Sequence, residues 1–324
     1  MEEKRRILFV DDQPNVLDGL RRMFRKFRDK WDMEFAAGGA EALAAMEKRP
    51  VDVIVADMKM PEMNGAQLLR RVSELYPGTV RFILSGHSDR ELILQSVGYA
   101  HQYLAKPCAA ETLEQTIRNS IGLRELLLSK ELQAKIAGIG TLPSCPETYN
   151  KLVVALQSET SSVEEVAEIV SQDVGMTAKL LQMINSAFFC LPTHVGSIYQ
   201  AVSLLGLDTV QGLALTAGVF RQFNDPGLSG ISVESVYNHS IAVGTAAKKI
   251  AGALGLNERE TEDALMAGML HDVGKLIMLA HFRSELSRAI QLAEKKSVPL
   301  HKAERQTLGV THGEIGAHLL SLWG

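Results

Sequence analysis

Hydrophobic and polar positions follow two different rhythms along this chain. Up to about residue 110, short β-prone runs alternate with helical stretches. The runs are Ile7–Val10, Val51–Ala56 and Arg81–Leu84, with weaker ones at Met33–Ala36 and Gln102–Ala105. Between them the spacing predicts helices over Val16–Phe27, Ala40–Lys48, Ala66–Tyr76 and Glu91–Tyr99, and from Glu111 onward. Strands alternating with helices in this way predict an α/β doubly wound five-stranded parallel sheet with helices on both faces. In such a fold the site lies beyond the carboxyl ends of the strands.

The alternation then stops. Leu113, Ile117, Ile121, Leu128, Leu132, Ile136 and Ile139 space out as one helix face with gaps, so 123–137 reads as a helical connector. From 138 to 324 the pattern is that of an all-α helical region. Leu142–Pro146 reads as a loop entering a helix, and Ser162 with Glu165 resembles a capping box. Further amphipathic stretches run through Thr177–Asn185, Ile198–Leu205, Thr209–Phe223, Val233–Ala253, Glu260–Ala280, Glu285–Lys295 and Gly313–Trp323. Asp225–Gly230 reads as a loop. The expected division is 1–122, a connector 123–137, and 138–324. The last helix reads as unfinished at Gly324, which suggests a longer natural protein.

Composition narrows the class. The chain has 324 residues with 34 basic and 38 acidic ones, net charge −4, 46% apolar and 22% charged. That is an ordinary globular balance and excludes a mostly disordered chain. Divided at residue 122, the first part holds 18 basic and 18 acidic residues and the second 16 and 20. Neither part carries the basic footprint of general nucleic-acid binding. Cys108, Cys145 and Cys190 form no C-x-x-C pair, so neither a disulfide framework nor a zinc ribbon is indicated. Leu180–Leu207 lacks charge but is interrupted by Gln182, Asn185, Pro192, His194 and Gln200, and reads as buried helix and loop rather than a membrane span. With no signal-like segment at the start, the cytoplasm is the expected location.

The first chemical constellation sits at strand ends. Asp11 and Asp12 close the first run, Asp57 the third, Ser85 the fourth, and Lys106 the fifth, ahead of Pro107. On one rim, three carboxylates repel one another unless a cation lies between them. Oxygen ligands with open positions suit Mg²⁺, and a lysine with a hydroxyl supplies donors for a phosphoryl group.

These motifs, FVDDQ (9–13), VADMKMPEMNG (55–65), ILSG (83–86) and YLAKP (103–107), resemble the receiver domain of two-component response regulators over residues 5–122. The resemblance implies Asp57 as phosphoacceptor, with Asp11, Asp12 and the backbone carbonyl of Lys59 joining Asp57 around Mg²⁺. It implies Ser85 and Lys106 as phosphate contacts, Tyr103 as the rotating aromatic, and a sensor histidine kinase as phosphodonor.

The second constellation is histidine-rich. Six of nine histidines lie beyond residue 230. His271-Asp272 falls in the apolar run AGMLHDVGKLIML, His239 lies earlier in VYNHSIAVGTAAKKIA, and His312 later in THGEIGAHLL. Histidines and an acid on neighbouring helices can hold a divalent metal and activate water, or can simply hydrogen-bond within a helical core. The His-Asp pair, with LPSCPETYNKL (142–152), VSQDVGMTAKLLQMINSAFF (170–189) and AVSLLGLDTVQGLAL (201–215), resembles an HDOD domain over about 135–324. The resemblance implies a regulatory output module acting through protein–protein or interdomain contacts on an unidentified downstream protein. The divalent metal of the His239, His271, Asp272 and His312 set stays open. So does a rival reading as a metal-dependent phosphohydrolase acting on nucleotides or cyclic dinucleotides. No Gly-Tyr-Pro triplet is present, and no further acid on a later helix is evident for such an enzyme. A homodimer through the connector also stays open. Neither nucleic acid nor membrane is expected as a partner. His87 and His101 are expected as surface residues at loops or helix ends, His194, His281 and His301 at helix ends, and Arg21, Arg22, Arg25, Lys26 and Arg28 as a solvated basic face or a docking patch for an acidic partner.

Overall fold

The computed structural model describes residues 4–86, 92, 96, 98–122, 130–158, 160–185, 195–215, 221–222, 228 and 231–324. The expected Glu91–Tyr99 helix lies mostly outside them. So do His87, Cys190, His194, most of the Asp225–Gly230 loop and the 123–129 part of the connector.

The sheet consists of β1 Arg5–Val10, β2 Trp31–Ala36, β3 Val53–Asp57, β4 Val80–Ser85 and β5 Gln102–Ala105, in spatial order β2-β1-β3-β4-β5. All pairs are parallel, with Ile7 opposite Val53, Val53 opposite Val80 and Phe82 opposite Gln102. Every residue of β3 and β4 is buried, as expected when helices cover both faces. The covering helices include α1 Pro14–Met23, α2 Gly39–Lys48, α3 Gly65–Leu75 and α4 Ala110–Gly122. The α/β expectation therefore holds, with the strand bounds shifted by a residue or two.

The helical region follows. Its elements are α5 Lys130–Ala137, α6 Pro146–Gln157, α7 Val163–Ser171, α8 Val174–Ile184, α9 Ile198–Leu205 and α10 Leu207–Leu215. Then come α11 Val233–Ala253, α12 Glu258–Leu270, α13 Val273–His281, α14 Arg283–Lys296, α15 Leu300–Leu308 and α16 His312–Trp323. Two-residue strands β6 Pro143–Ser144 and β7 Arg221–Gln222 pair beside them. Ser162 caps α7 by accepting from the Glu165 amide. Among the described residues no helix is long and apolar enough to cross a membrane.

Helix α15 escapes the sequence pattern. It starts after Pro299, ends at the left-handed Gly309, and carries mostly polar residues, so no apolar period announces it.

The two regions share one core. Ile7, Phe9 and Phe82 belong to the same buried cluster as Leu132 and Ile136 of α5 and Leu319 and Trp323 of α16. The described part of the connector is thus packed helix. The seam forms at the amino ends of β4 and β5, the end of the sheet opposite Asp57.

His101 was expected at a surface position. It is 1% exposed, as is Arg81. The Arg81 backbone N–H donates to His101 Nδ1 (2.9 Å), so Nε2 carries the ring proton and donates to Ala137 O (2.8 Å). The Arg81 guanidinium donates to the carbonyls of Tyr99 (2.6 Å), Thr79 (2.9 Å) and Ala137 (2.9 Å). Together they cap the carboxyl end of α5, where a positive group is favoured. Burial lowers the Arg81 pKa to about 10 and, aided by the Arg81 charge, holds the His101 imidazole well below its ordinary value. Gln182 of α8 donates to His101 O (2.8 Å), Gln102 donates to Leu322 O (3.1 Å), and Ser321 donates to Asn119 O (3.0 Å). Lys179, also buried, donates to Gly140 O (2.8 Å) and lies 4.9 Å over the Trp323 ring.

Two expectations follow for the seam. Arg81→Met leaves buried carbonyls unpaired and should cost about 3 kcal/mol of stability in urea unfolding; unfolding identical to the wild type would show that the seam does not depend on this cap. Burial lowers Lys179 from 10.5 to about 7. Between those values the unfolded chain holds a proton that the folded chain has released, so this group makes stability rise with pH there. Lys179→Met should flatten that rise between pH 7 and 9, and an unchanged slope would contradict it.

Candidate functional site

The receiver-like rim gathers the predicted residues. The Asp11, Asp12 and Asp57 carboxylate oxygens lie within 4.8 Å of one another. Lys106, just beyond β5, reaches Asp11 Oδ2 (2.7 Å) and Asp57 Oδ1 (2.8 Å). Its place is set by the backbone, where the Lys106 N–H donates to Ser85 O (2.8 Å). The Asp57 side is held by Met58 N–H donating to Leu84 O (2.9 Å) and Gly65 N–H donating to Met58 O (3.0 Å). Asn64 and Gln67 close a reciprocal cap on α3 next to it.

Burial, with the Asp11 charge behind it, holds the Asp57 carboxyl above its usual range despite Lys106. For Lys106 burial pulls downward, but its hydrogen bonds to Asp11 and Asp57 outweigh it and the net shift is upward. Two buried atoms stay unmatched: Asp12 Oδ1 and Ser85 Oγ have no hydrogen-bond partner. An unmatched carboxylate oxygen suits a cation, and an unmatched hydroxyl beside Lys106 suits an anionic oxygen. The donor set therefore fits Mg²⁺ and a phosphoryl group. Tyr103 is buried, and its hydroxyl accepts from Ser96 (3.0 Å). Lys59 is exposed in the loop that leaves β3.

The histidine cluster rests on close helix crossings. A Cβ on Gly268 of α12 would fall 2.6 Å from Gly244 Cα of α11, and one on Gly274 of α13 would strike the His312 carbonyl of α16. Glycine permits both approaches, which bring His239, His271-Asp272 and His312 to one place. The apolar run over Glu260–Ala280 predicted one helix. Instead α12 ends at Leu270 and α13 begins at Val273. Asp272 leaves helical geometry (φ −105°, ψ 11°), with its carboxylate hydrogen-bonded to Lys275.

Asp272 is the hub. Its Oδ2 accepts from Lys275 Nζ (2.6 Å) and faces His271 Nε2 (3.3 Å) and His239 Nε2 (3.6 Å); its Oδ1 faces His312 Nε2 (3.4 Å). Burial alone would raise its pKa, but the Lys275 hydrogen bond and charge, with His271 and His312, outweigh that and lower it. His239, His271 and Asp272 form a group of metal-ligand size, and His312 stands outside it. His239 is 55% exposed, so the cluster opens to solvent instead of lying within a core.

Sequence reasoning found no acid on a later helix. The structure has one: Glu304 of α15 is fully buried against His312. The only signal was its place eight residues before His312, within a helix that the pattern did not reveal.

At the rim, Asp12→Ala removes a carboxylate with an unmatched oxygen among like charges. Its stability without metal should therefore stay within about 0.5 kcal/mol of the wild type or rise. Mg²⁺ binding followed by isothermal titration should be lost, and retained affinity would exclude Asp12 as a ligand.

Comparison with known proteins finds two family matches in this chain. A family model for the response regulator receiver domain matches residues 7–118, and one for the HDOD domain matches residues 142–324. An uncharacterized protein of Treponema pallidum is 25% identical over 60% of this chain and 37% of its own length. The hydrogenase transcriptional regulatory protein HoxA of Cupriavidus necator is 33% identical over 36% of this chain and 24% of its own. The chain thus spans well under half the length of these relatives. The crystal structure of the MmoQ response regulator from Methylococcus capsulatus aligns over 57% of this chain and 73% of that one, at 25% identity and TM-score 0.48. The chain belongs to the HDOD domain family and carries a response regulator receiver domain ahead of its HDOD domain.

Proposed function

We propose that the protein is a two-component response regulator in which phosphorylation of Asp57 controls the HDOD domain. One observation carries the reading: Lys106 bridges Asp11 and Asp57 while Asp12 Oδ1 and Ser85 Oγ, both buried, remain unmatched. That is the donor set for an anionic group beside a cation.

In this reading an Asp57 carboxylate oxygen attacks the phosphorus of a sensor kinase's phosphohistidine. An O–P bond forms, the P–N bond breaks, and the imidazole leaves with its electron pair. Lys106 and Ser85 hold the transferred oxygens. Asp11, Asp12, Asp57 and the Lys59 carbonyl would hold Mg²⁺, which when bound offsets charge on the phosphoryl group. The domain bounds 1–122, 123–137 and 138–324 belong to the same proposal, as does a cytoplasmic location. The output is a changed protein–protein or interdomain contact, supported by the polar seam at His101, Gln102 and Gln182.

A second reading is favoured by the grouping of His239, His271 and Asp272 at metal-ligand distances. His271 Nδ1 faces the Gly268 carbonyl (2.7 Å), so Nδ1 bears a proton and Nε2 is the atom turned toward Asp272 Oδ2 (3.3 Å). His239, His271 and Asp272 would then hold a divalent metal. The metal would supply Lewis acidity for hydrolysis of a nucleotide or cyclic dinucleotide, or would be structural.

Incubation with acetyl phosphate and Mg²⁺ should give one retarded band on a phosphate-affinity gel, absent in Asp57→Asn and after EDTA. An unmodified wild type, or label elsewhere, would refute the first reading. Metal content after purification, with nucleotide hydrolysis compared in His271→Ala, decides the second.

A further inference from the structure

Helices α8, α12 and α16 line a cavity of about 260 Å³ that neither the rim nor the histidine cluster uses. Along α8 and its C-cap the wall takes Ala178, Leu181, Gln182 and Asn185, spaced three and four apart as one helix face. Met266 and Leu270 of α12 and Leu320 and Trp323 of α16 supply the other sides. The volume falls just below the roughly 300–1,000 Å³ of drug-sized sites, which limits an occupant to about two fused rings or an aliphatic body of that bulk.

Polar side chains interrupt this apolar wall at Asn185, Asp263 and Gln182. Asn185 is engaged: it accepts from the Val195 N–H (2.7 Å) and donates to Val195 O (2.8 Å). Asp263 lies against Gly196, where an added Cβ would fall 2.6 Å from its Oδ1. It is the one charged side chain lining the cavity, and the exposed Arg259 approaches it only to 3.9 Å. Gln182 is 6% exposed, and its Nε2 donates to His101 O (2.8 Å). Its Oε1 is buried and has no hydrogen-bond partner among the described residues.

The bond to His101 fixes which end of the amide is free, because only the NH₂ end can donate to a carbonyl. A buried carbonyl left without a donor is costly, and folded chains rarely keep one. The apolar wall suits the body of an occupant, and Gln182 Oε1 suits a single N–H or O–H on it. Asp263 at the same wall repels an anion and accommodates a neutral or positive group.

We propose that this cavity is a binding site for a small, largely apolar molecule that carries one N–H or O–H donor, paired with Gln182 Oε1, and no negative charge. The site depends on neither the phosphoryl nor the metal reading. Because Gln182 also bonds His101, the occupant shares one side chain with the seam between the two regions.

The test uses the full chain and probes that share one ring system: indole, 1-methylindole, tryptamine and indole-3-acetate. Indole should bind by calorimetry and move the ¹³C-labelled Met266 methyl resonance, assigned by its loss in Met266→Leu. 1-Methylindole lacks the donor and should bind about 3- to 10-fold more weakly, the worth of one hydrogen bond. Tryptamine should bind at least as tightly as indole, and indole-3-acetate about 3- to 10-fold more weakly than tryptamine. Leu320→Trp, which fills the cavity, should abolish binding. Should that variant fail to fold by circular dichroism, the Met266 shift and the order of the probes decide. Equal affinity for indole and 1-methylindole overturns the pairing with Gln182. Indole-3-acetate binding as tightly as tryptamine overturns the charge assignment. Binding that leaves the Met266 methyl unmoved, undiminished binding in a folded Leu320→Trp, or no binding of any probe at millimolar concentration overturns the site itself.

Discussion

Like charge gathered on one rim is the constraint from which the receiver half is built. Parallel strands deliver Asp11, Asp12 and Asp57 to the same end of the sheet, and burial makes their mutual repulsion costlier than it would be in water. Lys106 offsets part of that cost by bridging two of the three. Its position is a property of β5, the shortest strand of the sheet. At its other end β5 begins beside His101 and Gln102, which bind the helical region. Rim and seam are thus the two ends of one strand, with the buried Tyr103 between them. At about 3.3 Å per residue they are separated by roughly 15 Å.

The seam and the histidine cluster show opposite uses of buried polarity. At the seam, Arg81 and His101 have their donors matched by carbonyls, so a desolvated cation holds two regions in a defined register. Such a node specifies geometry more than it adds stability, because its hydrogen bonds replace ones made to water. At Asp272 one buried carboxylate instead gathers the Lys275 ammonium and the Nε2 atoms of His239, His271 and His312. The fold maintains that arrangement through helix crossings that only glycine permits at Gly268 and Gly274.

The rim was legible in the sequence because strand periodicity and strand ends determine it: a residue that closes a parallel strand must lie on the carboxyl edge. Asp57, Ser85 and Lys106 required only the strand positions. His101 was misplaced because local pattern cannot see a partner 36 residues away at Ala137. Arg81 sat inside a β-prone run, but a single charge there does not say that carbonyls of a later helix will enclose it. The break at His271-Asp272 was hidden by an apolar run that continues across it, since periodicity reports burial and not backbone direction. Glu304 was hidden for the converse reason. Its helix is so polar that periodicity has nothing to report, and its partner comes from the next helix.

The distance between rim and seam restricts how phosphorylation could act on the proposed reading. Among the described residues no hydrogen bond or ion pair joins Asp11, Asp12, Asp57, Ser85 or Lys106 to the helical region, so on this reading a signal passes along β4 and β5 or through the core between them. Moving a two-state contact from 1:99 to 99:1 takes about 5.5 kcal/mol of differential interaction. Charge-assisted contacts from Ser85 and Lys106 to a phosphoryl group supply about 1.5–3 kcal/mol each before any cost of moving their loops. Two such contacts are therefore barely sufficient for a full switch. They suffice for a partial one, although Lys106 must loosen its existing bridge to Asp11 and Asp57 in order to make the new contact. The seam retains its hydrogen bonds to α5, α8 and α16 on top of an apolar core shared by both regions. On the proposed reading that balance favours an output in which phosphorylation moves the rim end of β5 and the seam adjusts without separating.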